Sequence, residues 1–161
     1  MKVKKLMTAD CATCSVDVPV ANAAKIMWES DCGIVPVVEE GNLVGVVTDR
    51  DICMAALMSG LPLGLIQVNE VMTTEVMVCE AEDEVTAAHA IMREGQIRRL
   101  PVVDEDGAVV GMISLADLAN EAYAGRSKAA AKRQRDVGRT FASISEPHPM
   151  PEADEETTED E

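Results

Sequence analysis

Two short polar motifs combine a hydroxyl, a carboxylate and the first turn of a predicted helix. Thr48 is followed three residues later by Asp51, and Ser114 is followed three residues later by Asp117. Each motif comes after an apolar run and before a helical pattern, so we predict that its hydroxyl residue is an N-cap. The unpaired backbone N–H groups of a helix N-terminus attract anions. The two motifs are therefore candidate anion sites, with simple helix capping as the structural alternative.

The stretch around the second motif repeats the stretch around the first. Residues 36–51 and 101–117 both predict a strand, an acidic turn with glycine, a second strand and a helix start. Two copies are too few for a solenoid, and we predict a pseudo-two-fold pair that buries one face of each copy against the other. Matching positions lie 65 or 66 residues apart: Met7 and Met72, Ile26 and Ile91, Pro36 and Pro101, and Gly45 and Gly111.

Each copy predicts the order β-α-β-β-α, with a small sheet covered by two helices, which is an α+β fold. Apolar residues at helical spacing predict the first helix of each copy, and Gly33 and Gly95 end these patterns. In the first copy we predict a strand at 13–16, a helix from Pro19, a hairpin at 34–47 and a helix from Thr48 to about Met58. In the second copy we predict a strand at 76–79, a helix with Asp83 as N-cap, and the matching hairpin and helix.

The repeat and the composition divide the chain into four parts: a first repeat at 1–59, a connector at 60–68, a second repeat at 69–125 and a C-terminal region at 126–161. The C-terminal region begins with a basic stretch that can form a helix. It ends, from Glu152 onward, in an acidic tail without core-forming residues, for which we expect disorder. We interpret both segments as solvated surface, because exposed ion pairs contribute little to stability.

The composition limits the classes of function. With 161 residues, 47% of them apolar, the chain is long enough for one domain or for two halves that share a core. A formal net charge of −15 argues against nucleic-acid binding. No apolar run is long enough to span a membrane, and no apolar region follows the basic residues 2–5, so we expect a cytoplasmic protein.

The five cysteines form no disulfide framework, and we expect reduced thiols. Cys11 and Cys14 form a C-x-x-C motif, which leaves a zinc or redox site open as an alternative. Cys14 and Cys79 occupy matching strand positions, and small buried thiols are the simpler interpretation. His89 lies on an apolar helical stripe beside Met92, and we interpret it as a core or interface histidine. We therefore predict no metal site.

The doubled unit resembles a cystathionine β-synthase (CBS) domain pair, of the small stand-alone bacterial type. The resemblance covers about residues 3–125 and rests on LMT and VMT at the two starts, VPVVEEGNLVGVVTDRDI, and RRLPVVDEDGAVVGMISLADLA. It implies that a nucleotide binds in clefts between the copies. In this family the aspartate of the motif holds ribose hydroxyls, a role that falls to Asp51 and Asp117. The hydroxyl residue contacts phosphate, a role that falls to Thr48 and Ser114.

The resemblance also implies a role for arginines. In the nucleotide-binding subunit of the energy-sensing kinase, two basic residues before the central strand hold phosphates, and Arg98 and Arg99 match them. The first copy has Gly33 and Ile34 at the equivalent positions, while Arg50 lies inside its motif. Planar guanidinium groups suit phosphate oxygens. We therefore expect two unequal clefts, of which the one at Ser114 is the stronger.

No arrangement of nucleophile, base and orienting group is recognisable in the sequence. The resemblance implies a non-enzymatic sensor of an adenine nucleotide or related adenosyl ligand, with AMP, ADP, ATP, S-adenosylmethionine and NAD as candidates and Mg²⁺ left open. We expect a homodimer with an effector protein that the sequence does not identify. The alternatives are a ligand-free interaction module, and a thiol or metal sensor that uses Cys11 and Cys14.

Overall fold

The computed structural model describes residues 1–124 and 127–147. Short 3-10 turns lie at Val3–Lys5 and Leu63–Leu65. In chain order the described strands and α-helices are β1 (Thr8–Ala9), β2 (Cys14–Ser15), α1 (Val20–Glu29), β3 (Ile34–Glu39), β4 (Asn42–Thr48), α2 (Asp49–Ser59), α3 (Val68–Val71), β5 (Cys79–Glu80), α4 (Val85–Glu94), β6 (Arg99–Val103), β7 (Val109–Ser114), α5 (Leu115–Tyr123) and α6 (Lys128–Ile144).

The predicted α+β fold with two repeated units is confirmed. The first unit runs β2-α1-β3-β4-α2 and the second runs β5-α4-β6-β7-α5. In each unit the short first strand pairs in parallel with the next strand, which then forms an antiparallel hairpin. The first sheet has the strand order β2-β3-β4, and the second has the order β1-β7-β6-β5. The second sheet therefore contains one strand, β1, that comes from the start of the chain.

Two predicted helix starts differ from the observed ones by one residue. Pro19 is the N-cap of α1 instead of its first helical residue. Glu84, and not Asp83, is the N-cap of α4. The Asp83 carboxylate accepts a hydrogen bond of 2.9 Å from the backbone N–H of Glu80, so it stabilises the turn before the helix. An aspartate side chain commonly forms such local turns with nearby backbone, which competes with helix capping.

Two crossing segments, residues 1–9 and 66–73, each precede one unit in the chain but pack on the other. Val3 is fully buried in the core of the second unit, and β1 pairs antiparallel with β7. In return, Val68 is fully buried in the core of the first unit. Thr73 and Val46 exchange two backbone hydrogen bonds of 2.9 Å each. Each unit therefore completes its core with the segment that precedes the other unit.

Glycine at two repeated positions makes this exchange possible. A Cβ atom at Gly111 would lie 2.6 Å from the backbone oxygen of Thr8. A Cβ atom at Gly45 would lie 2.8 Å from the Met72 sulfur and 3.0 Å from the backbone oxygen of Thr73. Non-bonded atoms do not approach this closely, so any larger residue would push the crossing segment off the sheet. The repeated glycine is thus a packing requirement of the paired fold.

The two cores contain aliphatic and sulfur side chains, with no aromatic residue among their buried members. Such a core depends on close packing, because each small side chain contributes only a modest hydrophobic term. The buried residues of the first core are Cys14, Val16, Val20, Ala23, Met27, Val35, Val37, Val47, Ile52, Ile66 and Val68. Those of the second core are Val3, Cys79, Val85, Ala88, Met92, Leu100, Val102, Ile113 and Leu118.

The basic segment is a docked helix, which corrects the prediction of a solvated surface segment. Within α6, Ala130 and Thr140 are fully buried. The Gln134 side chain donates a hydrogen bond of 3.2 Å to the backbone oxygen of Ala122 in α5. The sequence prediction failed because it considered the charge of this segment and not the small residues along one of its faces. The acidic tail from Glu152 lies outside the described residues.

The second half of α6 is attached to the end of α4 by side chains. The Thr140 hydroxyl lies 2.9 Å from Nδ1 of His89 and accepts a hydrogen bond of 3.2 Å from Arg93. The Gln96 side chain donates a hydrogen bond of 3.1 Å to the backbone oxygen of Ser143. His89 is buried at this contact, as predicted for an interface histidine.

None of the described helices has the length and apolar character needed to cross a bilayer.

We expect His89 to make folding sensitive to acid. Burial lowers the pKa of His89; Asp136 of α6 opposes this effect and Arg93 adds to it. A base whose pKa is lower in the folded state contributes its full stability above its unfolded pKa, and this contribution is lost as the pH falls from there through the folded pKa. Between about pH 7.5 and pH 5.5, the native chain should lose more stability in urea titrations than His89→Gln does. Parallel losses in the two proteins would contradict this assignment.

Candidate functional site

One cleft of about 1020 Å³ lies between the two units. The first polar motif, the hydroxyl residue of the second motif and the arginines predicted from the sequence all line it. Six of the seven candidate residues line this cleft: Thr48, Arg50, Asp51, Arg98, Arg99 and Ser114. The seventh, Asp117, does not line it.

Both motifs form the predicted helix caps. The Asp51 carboxylate oxygen Oδ2 accepts hydrogen bonds from the backbone N–H of Thr48 at 2.8 Å and from its hydroxyl at 2.7 Å. The backbone N–H of Asp51 donates in return to the Thr48 hydroxyl, at 3.2 Å. Ser114 and Asp117 make the same three contacts, at 2.8, 2.6 and 3.3 Å. These are reciprocal capping boxes, which fix the start of α2 and of α5.

The capping role leaves part of the Asp51 carboxylate available. Both contacts from Thr48 go to Oδ2, so Oδ1 has no hydrogen-bond partner among the described residues. Asp51 is only half-buried and lines the cleft. A carboxylate oxygen in this position can accept hydrogen bonds from ligand hydroxyls. Asp117 has the same free oxygen, but it lies outside the cleft lining.

The two arginines lie at the Ser114 end of the cleft, as predicted. Arg99 is the register partner of Ser114 across the β6–β7 hairpin. The backbone oxygen of Arg98 accepts a hydrogen bond of 2.9 Å from the N–H of Leu115, the first residue of α5. The Arg99 guanidinium extends toward the first unit, because its Nη1 lies 3.6 Å from the position of a Cβ atom at Gly33. Arg99 therefore bridges the two sides of the cleft.

The cleft holds cations without partners. Within residues 1–124 and 127–147, none of the three lining arginines forms an ion pair with a carboxylate. Three acids also line the cleft, Asp49, Asp51 and Glu75, so its formal charge is near zero in a chain of net charge −15. Guanidinium groups that lack a carboxylate partner favour an anionic ligand such as phosphate.

Apolar side chains form the remaining walls, and sequence analysis missed those contributed by α6. Val137, Phe141 and Ile144 line the cleft and are spaced as i, i+4 and i+7, which places them on one helical face. This stripe is visible in the sequence, within a segment that is otherwise basic. The apolar lining from the two units consists of Ile34, Val46, Val76, Met77, Ile97, Pro101, Leu115, Ala116 and Ala119.

Cys11, Cys14 and Cys79 lack the environment of reactive thiols. Burial raises the pKa of Cys14 to about 11, and burial with the nearby Asp83 raises that of Cys79 to about 12. Burial, with the neighbouring Cys32 and Asp10, also raises the pKa of Cys11. The nucleophile and metal ligand is the thiolate, which a raised pKa disfavours. Among the described residues, no cluster of three or more histidine, cysteine or acidic side chains is arranged to hold a metal.

The paired units and their shared cleft define a tandem α+β repeat protein. The chain belongs to the CBS domain family, whose model matches residues 3–57 and 68–123. The CBS domain-containing protein YhcV of Bacillus subtilis (strain 168) is 40% identical over 117 residues, which cover 73% of this chain and 82% of YhcV.

Solved structures show the same fold. Hypoxic Response Protein I, solved with two coordinated zinc ions, superposes with a TM-score of 0.68 at 28% identity, covering 74% of this chain and 98% of its own. The CBS domain pair of protein MJ0100, in complex with 5′-methylthioadenosine and S-adenosylmethionine, gives 0.67 at 28% identity, covering 75% and 98%. CBSX2 in complex with AMP gives 0.64 at 26% identity, covering 75% and 95%.

Proposed function

We propose that this chain is a non-enzymatic regulatory module that binds an adenine nucleotide in the cleft between its two units. The observation that carries the proposal is that, among the described residues, the three lining arginines pair with no carboxylate and the Asp51 oxygen Oδ1 has no hydrogen-bond partner. Relatives that bind AMP, or 5′-methylthioadenosine and S-adenosylmethionine, support an adenosyl ligand. Arginines favour a ligand with phosphate over S-adenosylmethionine, which is cationic, and over 5′-methylthioadenosine, which is uncharged.

Each part of the ligand has a matching part of the cleft. Arg98 and Arg99, with the start of α5, hold the phosphate, while Asp51 accepts hydrogen bonds from the ribose hydroxyls. The apolar walls receive the base. In this arrangement the first unit supplies the acid for the ribose and the second supplies the two arginines for the phosphate, so one ligand contacts both units. Sequence analysis expected Asp117, at the same end as the two arginines, to bind the ribose. The arrangement proposed here differs, because it uses Asp51 of the other unit.

Regulation would follow from differential binding. A ligand that contacts both units stabilises the arrangement in which they are correctly placed, and it shifts the population toward that arrangement. An effector protein that recognises this arrangement would then respond to nucleotide concentration.

We expect Asp51→Ala to weaken AMP binding about tenfold or more, because charge-assisted hydrogen bonds contribute about 1.5–3 kcal/mol each. Asp117→Ala is the matched control, since it removes the same kind of capping box and costs a similar stability, about 1 kcal/mol. Isothermal titration calorimetry should rank the native chain and Asp117→Ala close together, with Asp51→Ala clearly weaker. In the native chain AMP should bind more tightly than adenosine, because the arginines recognise the phosphate.

Two results would overturn this proposal. If AMP, ADP, ATP and NAD all fail to bind the native chain, a ligand-free interaction module becomes the better account. If Asp117→Ala weakens binding more than Asp51→Ala, the ribose lies at the opposite end of the cleft.

We also propose that the module is a homodimer that uses the outer face of α1 and α2. Trp28 of α1 is 88% exposed, and Leu57 and Met58 of α2 are 73% and 81% exposed, so both helices present large apolar side chains outside the core. In the second unit α6 packs against the matching helices α4 and α5. A second copy on α1 and α2 would bury this apolar surface, which favours association through the hydrophobic effect.

We expect Leu57→Glu to convert the dimer to a monomer, because a charge at the centre of an apolar interface loses its hydration. Tyr123→Glu is the control, since Tyr123 occupies the matching position in α5 and is similarly exposed, at 70%. Light scattering after size-exclusion chromatography should give a dimer for the native chain and Tyr123→Glu, and a mass near 17.2 kDa for Leu57→Glu. A native chain that is monomeric at micromolar concentration would rule out this interface.

A further inference from the structure

Helix α6 forms one wall of the cleft although it lies beyond the residues that the family model matches. The second family match ends at residue 123, and α6 begins at Lys128. Val137, Phe141 and Ile144 of this helix line the cleft, and Ser145, directly after the helix, also lines it. This wall therefore lies outside the residues that the family model matches, and it is placed at the proposed ligand site.

Phe141 is the part of this wall that is best suited to contact a ligand. The chain has one tryptophan, one tyrosine and one phenylalanine, and all three lie in the described residues. Of these three side chains, only Phe141 lines the cleft, where it is 62% exposed. An aromatic face is a favourable surface for stacking of a purine base. The chain thus places its single cleft-lining aromatic in the same cleft as the three arginines.

The attachment of α6 also supports the segment that carries those arginines. Gln96, which lies two residues before Arg98, donates a side-chain hydrogen bond of 3.1 Å to the backbone oxygen of Ser143. The Ser143 hydroxyl donates a hydrogen bond of 3.3 Å to the backbone oxygen of Arg93. Gln96 has a positive φ of 49°, a conformation that needs support from its surroundings. The position of α6 and the position of Arg98 are therefore linked by direct contacts.

We propose that α6 completes the nucleotide site, with Phe141 stacked on the base, and that nucleotide binding and the docking of α6 stabilise each other. The inference rests on the proposed function and adds to it a specificity-determining residue and an element that responds to the ligand. Coupling between two binding events is reciprocal, so a ligand that contacts docked α6 must hold the helix in place. Helix α6 is then the part of the chain whose exposure reports the ligand.

Calorimetric titration of the full chain with AMP tests the contact. Phe141→Ala should bind AMP about tenfold more weakly, as expected for the loss of one base-stacking contact. Phe141→Tyr should stay within about twofold of the native chain, because it keeps the aromatic face. Tyr123→Ala is the matched control: it removes an aromatic of similar exposure that does not line the cleft, and it should leave the affinity unchanged. Thermal melts of Phe141→Ala should match the native chain, because the side chain is mostly exposed.

Limited trypsin digestion tests the coupling. Arg135 and Arg139 are exposed on α6, so cleavage after them reports opening of this helix. Saturating AMP should slow that cleavage in the native chain by about the factor by which contact with α6 strengthens AMP binding. It should have little effect on the cleavage of Phe141→Ala at the same AMP concentration.

The outcomes separate this inference from the proposed function. If the native chain binds AMP and Phe141→Ala binds it equally well, the nucleotide site stands and the role of Phe141 is wrong. If Phe141→Ala binds weakly but AMP leaves the cleavage of α6 unchanged in the native chain, the coupling is wrong. If the native chain does not bind AMP, the proposed function fails and this inference fails with it.

Discussion

The packing of each crossing segment against a glycine of the opposite unit joins the two halves of the molecule. At Gly45 and Gly111 the crossing segment of the other unit lies where a side chain would otherwise be. Val3 and Val68, carried by these segments, are fully buried in the partner cores, so neither unit has a complete core alone. The relative placement of the units is therefore set by core packing, which is stiff and short-ranged. A cleft between them can keep a defined shape without any bound molecule.

The motifs at Thr48 and Ser114 show how one local structure can serve both stability and binding. Each capping box uses one carboxylate oxygen to satisfy backbone and hydroxyl donors at the helix start. The second oxygen remains free, so an aspartate selected for capping needs no change of conformation to contact a ligand. A preorganised group of this kind loses little conformational entropy on binding. Only the surroundings, which differ between the units, decide whether that oxygen faces the cleft.

Sequence reasoning predicted the features that depend on local pattern. The repeated hairpins, the caps at Thr48 and Ser114 and the burial of His89 follow from spacing, turn residues and amphipathic periodicity. It did not predict the exchange of the crossing segments, because a short strand such as Thr8–Ala9 has no local signal that selects a distant partner. It also did not predict the docking of α6, where the charge of the segment concealed its small buried residues. Tertiary packing decided both features.

These omissions bear directly on the site. The two repeats carry equivalent motifs, but Arg98 and Arg99 stand where the first repeat has Gly33 and Ile34. Helix α6 also packs on α4 and α5 of the second unit, so the cleft has chemically different ends. The first unit contributes Asp51 and one arginine to the lining, while the second contributes the pair Arg98 and Arg99. A polar ligand with hydroxyls at one end and negative charge at the other fits such a cleft in one orientation. The asymmetry of the cleft thus comes from residues that differ between the repeats and from the additional wall that α6 provides.

The central claim is that a single nucleotide contacts both units at once. Hydrogen–deuterium exchange of the full chain, measured with and without saturating AMP, tests it most directly. The account predicts that AMP slows exchange together in peptides that cover residues 48–51 and residues 98–101, with no change in α1, which lies outside the cleft lining. Slower exchange confined to one of the two peptides, or found only outside the cleft, would contradict it.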